Sequence, residues 1–369
     1  MKILRVAGWL VVALVVLAVG ATAVGYWRSD NVCEARGPAP VHPMKAALRC
    51  EYGTPEVVEI ARVEKPVPGE HEVLVKVRAA AVNPLDWHYL RGTPYLMRFE
   101  TGLRKPKVTR LGVDFSGTVA AVGAKVTRFK PGDDVFGGRD GSFAEYVVVR
   151  DDRAIVPKPA NVTFEQAAAL PIAAVTALQA LRDHGKVGPG SKVLINGASG
   201  GVGTYAVQIA HALGAEVTGV CSGRNVDLVR SLGAAHVVDY TREDYANGAQ
   251  RYDVIVDNVG NRSLGENRKA LLDTGRYVLV GGGGPDAGNW VGPMLGPVKA
   301  LLMSPFVSQQ MGMMLAQLNE QDLTALGAML QSGAVTSVID RTYTLDQLPE
   351  ALAYLEKGRA RGKVVITVP

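Results

Sequence analysis

The sequence predicts an α/β protein: a doubly wound parallel sheet, a second domain rich in β-strands, and one apolar segment at the N-terminus. Three observations carry this expectation. From about Thr163 onward, short apolar runs alternate with stretches of helical periodicity, the pattern of strands connected by crossover helices. The nine residues from Ile195 to Gly203 place a glycine-rich turn between one such strand and one such helix. Ahead of that region, Glu72–Arg78 alternates strictly, with Val73, Val75 and Val77 on one face.

At the N-terminus, the 22 residues Val6–Trp27 carry no charge. At about 1.5 Å per residue they would span roughly 33 Å as a helix, slightly more than the hydrocarbon core of a bilayer. Trp9, Tyr26 and Trp27 lie near the ends of the run, where amphipathic rings favour the interface. The expectation is a transmembrane anchor over residues 1–27. A cleaved leader ending at Ala21-Thr22-Ala23 is the alternative. Lys2, Arg5 and the α-amine balance Arg28, Arg36 and Lys45, so charge does not set the orientation. Residues 28–43 carry Pro, Gly and charge without periodicity and read as a linker. Met44 looks like the start of a complete soluble enzyme.

Beyond Met44 the expected elements follow in order. Strands are expected at Glu72–Arg78, Gly117–Val122 and Ala144–Val149, with turns at Pro131-Gly132 and Gly137-Gly138. A helix over Phe164–Leu181 is interrupted by Pro171. Strand Val193–Asn196 then leads through the turn to helix Val202–Leu213. Strands at Val217–Cys221, His236–Val238, Val254–Asp257 and Tyr277–Val280 follow, with a helix at Val226–Leu232. The pattern reverts after Val335 to a turn, helix Leu348–Glu356 and strand Val364–Val368.

A hydrophobic fraction of 47% over 369 residues is enough for two cores. The net charge of +5 is spread along the chain, which argues against a nucleic-acid partner. Cys33, Cys50 and Cys221 are an odd count without metal-ligand spacing and read as small hydrophobes or free thiols. Two segments stand apart. Arg98, Arg104, Lys105, Lys107 and Arg110 crowd a loop that reads as solvated or membrane-facing. The Met-rich run Trp290–Leu315 reads as a subunit interface, packed core or adaptable pocket wall.

The turn Ala198-Ser199-Gly200-Gly201-Val202-Gly203 carries the sharpest chemistry. Glycines let the backbone approach a pyrophosphate, and the helix start supplies free N–H groups and a positive dipole end. At the end of the next strand, where an NAD site wants an acid, stands Cys221-Ser222-Gly223-Arg224. A hydroxyl and a guanidinium there suit the 2′-phosphate of NADPH. Tyr240, past the third strand, is a candidate neighbour of the adenine ribose.

These residues resemble the medium-chain dehydrogenase/reductase superfamily, in its zinc-independent, quinone-oxidoreductase-like (enoyl reductase-like) branch. The matching stretches are Ala80–Asp86, Gly112–Val119, Phe129–Gly137, Leu170–Leu178, the Ala-x-Gly-x-x-Gly turn and Gly362–Ile366. The resemblance implies a GroES-like β domain over 44–166 and 319–369 around a Rossmann core over 167–318. Zinc-dependent relatives carry a Cys where Asn83-Pro84 runs and a His-Glu pair where Val113-Asp114 stands, so no metal is expected. Without a Lewis acid, hydride transfer to an already activated acceptor is the natural chemistry.

By the same resemblance, Asn83 and Asp86 sit beside the nicotinamide, Asn83 as a donor to the acceptor oxygen and Asp86 as an orienting group. Tyr89 and Tyr95 are candidate proton donors or pocket walls. Asn258 and Val259 would pass the nicotinamide ribose, Gly281 and Gly282 the nicotinamide, and Lys363 the pyrophosphate. The implied function is an NADPH-dependent reductase of a small lipophilic electrophile, a quinone or an α,β-unsaturated carbonyl. It would be anchored in the membrane with its catalytic domain in the cytoplasm, and relatives are commonly homodimers. A metal-free alcohol/carbonyl dehydrogenase and a non-catalytic NADPH-binding scaffold or redox sensor are the alternatives.

Overall fold

The structure is a computed structural model that describes residues 20, 22–27, 29–282 and 308–369. Its N-terminal part pairs β1 (Pro43–Arg49) with β2 (Val58–Glu64), antiparallel. The chain continues through β3 (Glu72–Val82), α1 (Pro84–Arg91), the short α2 (Arg98–Thr101), β4 (Asp114–Val122), β5 (Asp134–Gly138), β6 (Tyr146–Arg150) and β7 (Ile155–Pro157). Helices α3 (Phe164–Ala168) and α4 (Pro171–Gln179) lead into β8 (Lys192–Asn196) and α5 (Gly201–Ala212). Next come β9 (Glu216–Cys221), α6 (Val226–Ser231), β10 (His236–Asp239), β11 (Tyr252–Asp257), α7 (Leu264–Ala270), β12 (Leu271–Leu279) and β13 (Gln310–Met313). Helix α8 (Glu320–Ser332), β14 (Ile339–Thr344), α9 (Leu348–Glu356) and β15 (Lys363–Thr367) close the chain.

Two sheets dominate. Strands β10-β9-β8-β11-β12-β13 form a six-stranded sheet in which every pairing is parallel. Order reverses between β8 and β11, so the carboxyl ends of the strands open a crevice beside the turn that begins α5. The other sheet runs β14-β15-β3-β4-β5-β7, with β6 also on β3. β15 returns from the far end of the sequence to pair antiparallel with β3, Val364 opposite Val82. That return delivers Lys363 to the level of Asn83.

The two cores follow from these sheets. One packs Val193, Ile195, Val217 and Val256 of the parallel sheet against Leu178, Tyr205 and Ile209 of its helices. The other packs Val73, Val75 and Val77, the face that alternates in the sequence, against Phe115, Val147 and Ile366. Pro171 separates α3 from α4 because it supplies no N–H to continue a helix, yet fits the first turn of the next.

The structure corrects three expectations. Residues 29–36 are not a free linker. Cys33 and Cys50 form a disulfide and leave Cys221 as the free, buried thiol. Glu34 takes two hydrogen bonds from Arg110, at 3.0 and 2.7 Å, and Asp30 pairs with Lys105 at 2.7 Å. The basic loop is therefore largely committed to this acidic strap, and Arg98 donates to the Gly92 and Arg91 carbonyls. The Met-rich run ends in β13, with Met311 and Met314 buried in the cores. Residues 290–307 of that run lie outside the described residues. So does most of the apolar run 6–27; its described part, 22–27, is helical. Among the described residues no helix is long and apolar enough to cross a membrane.

Candidate active site

The site is built where α1 begins. Asn83 has extended backbone and caps the helix; Pro84 occupies the first helical position. The Asp86 carboxylate reaches back to accept the Asn83 N–H at 2.7 Å, which fixes both side chains relative to the helix start. Asn83 then donates from Nδ2 to Asp114 at 2.9 Å and accepts from the Lys363 ammonium. Lys363 Nζ stands 3.4 Å from Asp114, and the other Asp114 oxygen accepts the Ile172 N–H at 3.0 Å. All four side chains are buried.

Burial raises the Asp86 carboxyl to about 7, with the neighbouring Asp114 charge adding to the rise and the Asn83 N–H opposing it. Burial also pushes Asp114 up and the Lys363 ammonium down, and each is countered by the other's charge. The arrangement holds a buried Lys363–Asp114 pair next to a carboxyl raised to about 7.

The dinucleotide turn adjoins this cluster. Gly200 caps α5, and Gly197 takes a φ of 77°, which an L side chain rarely adopts. A side chain at Gly203 would place its Cβ 2.1 Å from the Gly197 carbonyl oxygen, so the close return of the turn requires glycine. Ala198 is buried, with its N–H on the Val220 carbonyl, while Val202 packs against the parallel-sheet core. The Gly362 N–H donates to the Ser199 carbonyl at 2.9 Å, and Gly200 bridges Gly362. The expectation for Lys363 is corrected here. A Cβ on Gly201 would lie 3.2 Å from the Lys363 side chain, so its stem passes the turn, but its ammonium is committed to Asn83 and Asp114 rather than to the pyrophosphate position.

At the end of β9, Ser199 and Ser222 both accept from Asn225, at 2.9 and 3.3 Å. Arg224 is exposed and donates to the Arg359 carbonyl at 2.9 Å, which brings the backbone of residue 359 to the same corner. An acid is there too: β10 delivers Asp239 beside Gly223, with one oxygen held by the Thr241 N–H and hydroxyl. Neither Arg359 nor Asp239 is adjacent in sequence to this strand end, so only the fold assembles them. Tyr240 lies exposed next to Asp239, with its N–H on the Cys221 carbonyl.

The turn after β11 is organised by Asp257, a residue that the sequence reading passed over. Its carboxylate accepts from Asn196, from the N–H groups of Val259 and Gly260, and from Tyr277. Asn258 donates to the Asn196 carbonyl, and its buried Oδ1 has no partner. Val259 is exposed and packs against Gly197, while Gly281 stands behind Asn258. Gly282 is the last described residue before position 308. Tyr89 lies one turn along α1 from Asp86 and is half-buried. Tyr95 is further out, its ring 4.6 Å from the Arg98 guanidinium.

This fold and site define a dinucleotide-binding oxidoreductase of two domains. Residues 69–160 match the alcohol dehydrogenase GroES-like domain family, and residues 232–366 the zinc-binding dehydrogenase family. The chain is 34% identical to the 2-methylene-furan-3-one reductase of Solanum lycopersicum, covering 88% of this chain and 79% of that one. It is 33% identical to the chloroplast envelope quinone oxidoreductase homolog of Arabidopsis thaliana, covering 84% and 93%. The quinone oxidoreductase structure from Coxiella burnetii superposes with a TM-score of 0.78 at 30% identity, covering 89% of this chain and 100% of that one. The chain belongs to the medium-chain dehydrogenase/reductase superfamily and is quinone-oxidoreductase-like.

A zinc ion does not fit where zinc-dependent relatives would hold it. Asn83 and Asp114 are bonded to each other, and both are engaged by the Lys363 ammonium, itself a cation. Asn83 and Val113 supply no thiolate or imidazole.

The buried carboxyl yields a test of sign. An Asp titrates near 3.9 when unfolded, and Asp86 is at about 7 in the fold. The native state therefore holds this proton more tightly. Its ionisation costs native stability as pH rises from about 4 to about 7, after which the cost stays constant. Asp86→Asn keeps the acceptor for Asn83 and removes the titration. Denaturant unfolding across this range should show the unsubstituted protein losing stability relative to Asp86→Asn, by up to about 1.4 kcal/mol per pH unit. Parallel curves would contradict the raised carboxyl.

Proposed function

We propose that this chain is an NADPH-dependent reductase that transfers hydride to a quinone or to the β-carbon of an α,β-unsaturated carbonyl, without a metal. The observation that carries this reading is the Lys363–Asn83–Asp114 cluster. It engages both residues of the metal position with an ammonium and sets the capped start of α1 directly against the dinucleotide turn. The relatives, a furanone reductase and quinone oxidoreductases, agree with it. When bound, the nicotinamide would supply the hydride.

The chain's own residues bind and orient. Ser199–Gly203 receive the pyrophosphate on free N–H groups at the start of α5. Asn258, Val259, Gly281 and Gly282 line the ribose and nicotinamide side. Against the expected donor role, the Asn83 amide is committed to Asp114, the Ala81 carbonyl and Lys363, and is fixed by Asp86; Tyr89 and Tyr95 wall the acceptor side. Ser222 and Arg224 receive the 2′-phosphate against the opposing charge of Asp239. NADPH oxidation followed against a panel of enones and quinones tests the reading. NADPH should be preferred over NADH. Arg224→Ala should cost about 1.5–3 kcal/mol of NADPH binding, the range for a charged hydrogen bond, and leave NADH binding nearly unchanged. Equal affinity for both cofactors, or no turnover across the panel, would contradict it.

We further propose that Val6–Trp27 anchors the chain in a membrane, with the catalytic domain on the cytoplasmic side where NADPH is supplied. One observation favours a second reading: the Cys33–Cys50 disulfide is the kind of bond kept in oxidising compartments, which suits an exported domain. The full-length protein should stay in the membrane fraction through a high-salt wash, because apolar burial is not screened. Protease added to intact cells should leave the domain whole, and protease added to inverted vesicles should degrade it. Degradation in intact cells, or a mature chain starting after Ala23, would establish the second reading.

A further inference from the structure

Asn225 stands just before α6, where an asparagine ordinarily caps the helix, yet its side chain makes no capping hydrogen bond. It turns instead toward two serines, donating from Nδ2 to the Ser199 hydroxyl oxygen at 2.9 Å and to that of Ser222 at 3.3 Å. Asn225 is 4% exposed, while both serines are partly exposed. Its backbone is held as well, with the N–H on the Ser222 carbonyl at 2.8 Å. The serines belong to different turns of the parallel sheet, Ser199 after β8 and Ser222 after β9. Those turns are tied together by the N–H groups of Gly197 and Ala198 on the Val220 carbonyl. One buried amide thus links the turn that begins α5 to the end of β9.

The direction of these bonds decides what the serines can do. A serine hydroxyl has one proton and two lone pairs. Each Oγ spends a lone pair on Asn225, and neither hydroxyl donates to any group among the described residues. Both protons are therefore free for a ligand, on the side away from the buried amide. The opposite orientation of the amide would leave two buried N–H donors unmet, instead of the one carbonyl oxygen, Oδ1, that now has no partner. Because both hydroxyl oxygens lie within reach of one nitrogen, they are close enough to act on a single ligand group.

We infer that Asn225 is the positioning residue that makes Ser199 and Ser222 a pair of donors to the 2′-phosphate, and so sets the cofactor preference. The inference rests on the NADPH reading above. A phosphate dianion only accepts, so it takes both protons and has none of its own to place. The ribose 2′-hydroxyl that NADH presents meets the same two donors with one oxygen and must also place a proton. For that proton the corner offers the Asp239 carboxylate beside Gly223. The same carboxylate repels a phosphate, so binding depends on the two serine donors and the exposed Arg224 outweighing it. Removing the amide's control over the hydroxyls therefore weakens NADPH selectively.

The test measures Kd for NADPH and for NADH on the full-length protein, on Asn225→Ala and on Asn225→Asp. Asn225→Ala frees the hydroxyls without adding charge; it should weaken NADPH by about tenfold, the lower end for a charged hydrogen bond, and NADH by less than about threefold. In a Ser199→Ala, Ser222→Ala background the same change should weaken NADPH by less than about threefold, because the amide then has nothing to orient. Asn225→Asp keeps the volume but only accepts, so it turns both serine protons inward and should weaken NADPH more than Asn225→Ala does. A merely structural role would not move a further readout, the 31P resonance of the 2′-phosphate in bound NADP+. It should titrate below the free value of about 6 in the unsubstituted protein and move up toward it in Asn225→Ala. Equal losses for the two cofactors, or an undiminished loss in the serine-free background, would overturn the inference. If the unsubstituted protein binds both cofactors equally, the NADPH reading falls, and this assignment with it. A preference for NADPH that survives both Asn225 substitutions leaves that reading standing and removes this assignment alone.

Discussion

One buried contact fixes the rest of the site: the Lys363 ammonium held between Asn83 and Asp114. Lys363 comes from the last strand, Asp114 from the start of β4 and Asn83 from the cap of α1, so residues 249 and 280 positions away from Lys363 meet at one point. A lone buried charge would be prohibitive. A paired one is tolerated only with its hydrogen bonds satisfied. Asp114 meets that condition through Asn83 and the Ile172 N–H, which opens α4 beneath the parallel sheet. Moving any one partner therefore disturbs α1, the sheet that supports it and the turn that begins α5.

The chemistry follows from that constraint. With the Lys363 ammonium held against Asn83 and Asp114, the cluster leaves rigid, oriented groups. Asn83 is locked by its cap and by two buried partners. Asp86 is spared full ionisation by burial, which keeps a second negative charge away from an incoming hydride donor.

Most of the fold was legible because its periods are clean. Glu72–Arg78 alternates since only one face meets the core, and helix Leu348–Glu356 falls where its spacing puts it. The dinucleotide turn was legible because glycine spacing reports backbone approach directly, as at Gly203. What could not be read was whatever depends on long-range pairing. The cluster contact of Lys363 needs β15 beside β3. Arg359 and Asp239 reach the end of β9 only through tertiary contacts. The strap 29–36 lacks periodicity because single side chains and a disulfide fasten it, not a repeating face. Helix α8 went unread even though Asn319 caps it and Gly333 ends it. Asp257 had a signal, an acid closing an apolar strand before Asn-Val-Gly, that was overlooked.

The central claim is that Lys363 and Asp114 act as one unit, and a double-mutant cycle on unfolding free energy measures this most directly. Lys363→Met alone or Asp114→Asn alone breaks a buried pair and should cost about 3–5 kcal/mol. The double substitution removes both charges and should cost little more than either single change, so the coupling should be nearly as large as one single cost, about 3 kcal/mol or more. Losses that simply add would contradict the account, because they would mean that the ammonium and the carboxylate stand independently in the fold.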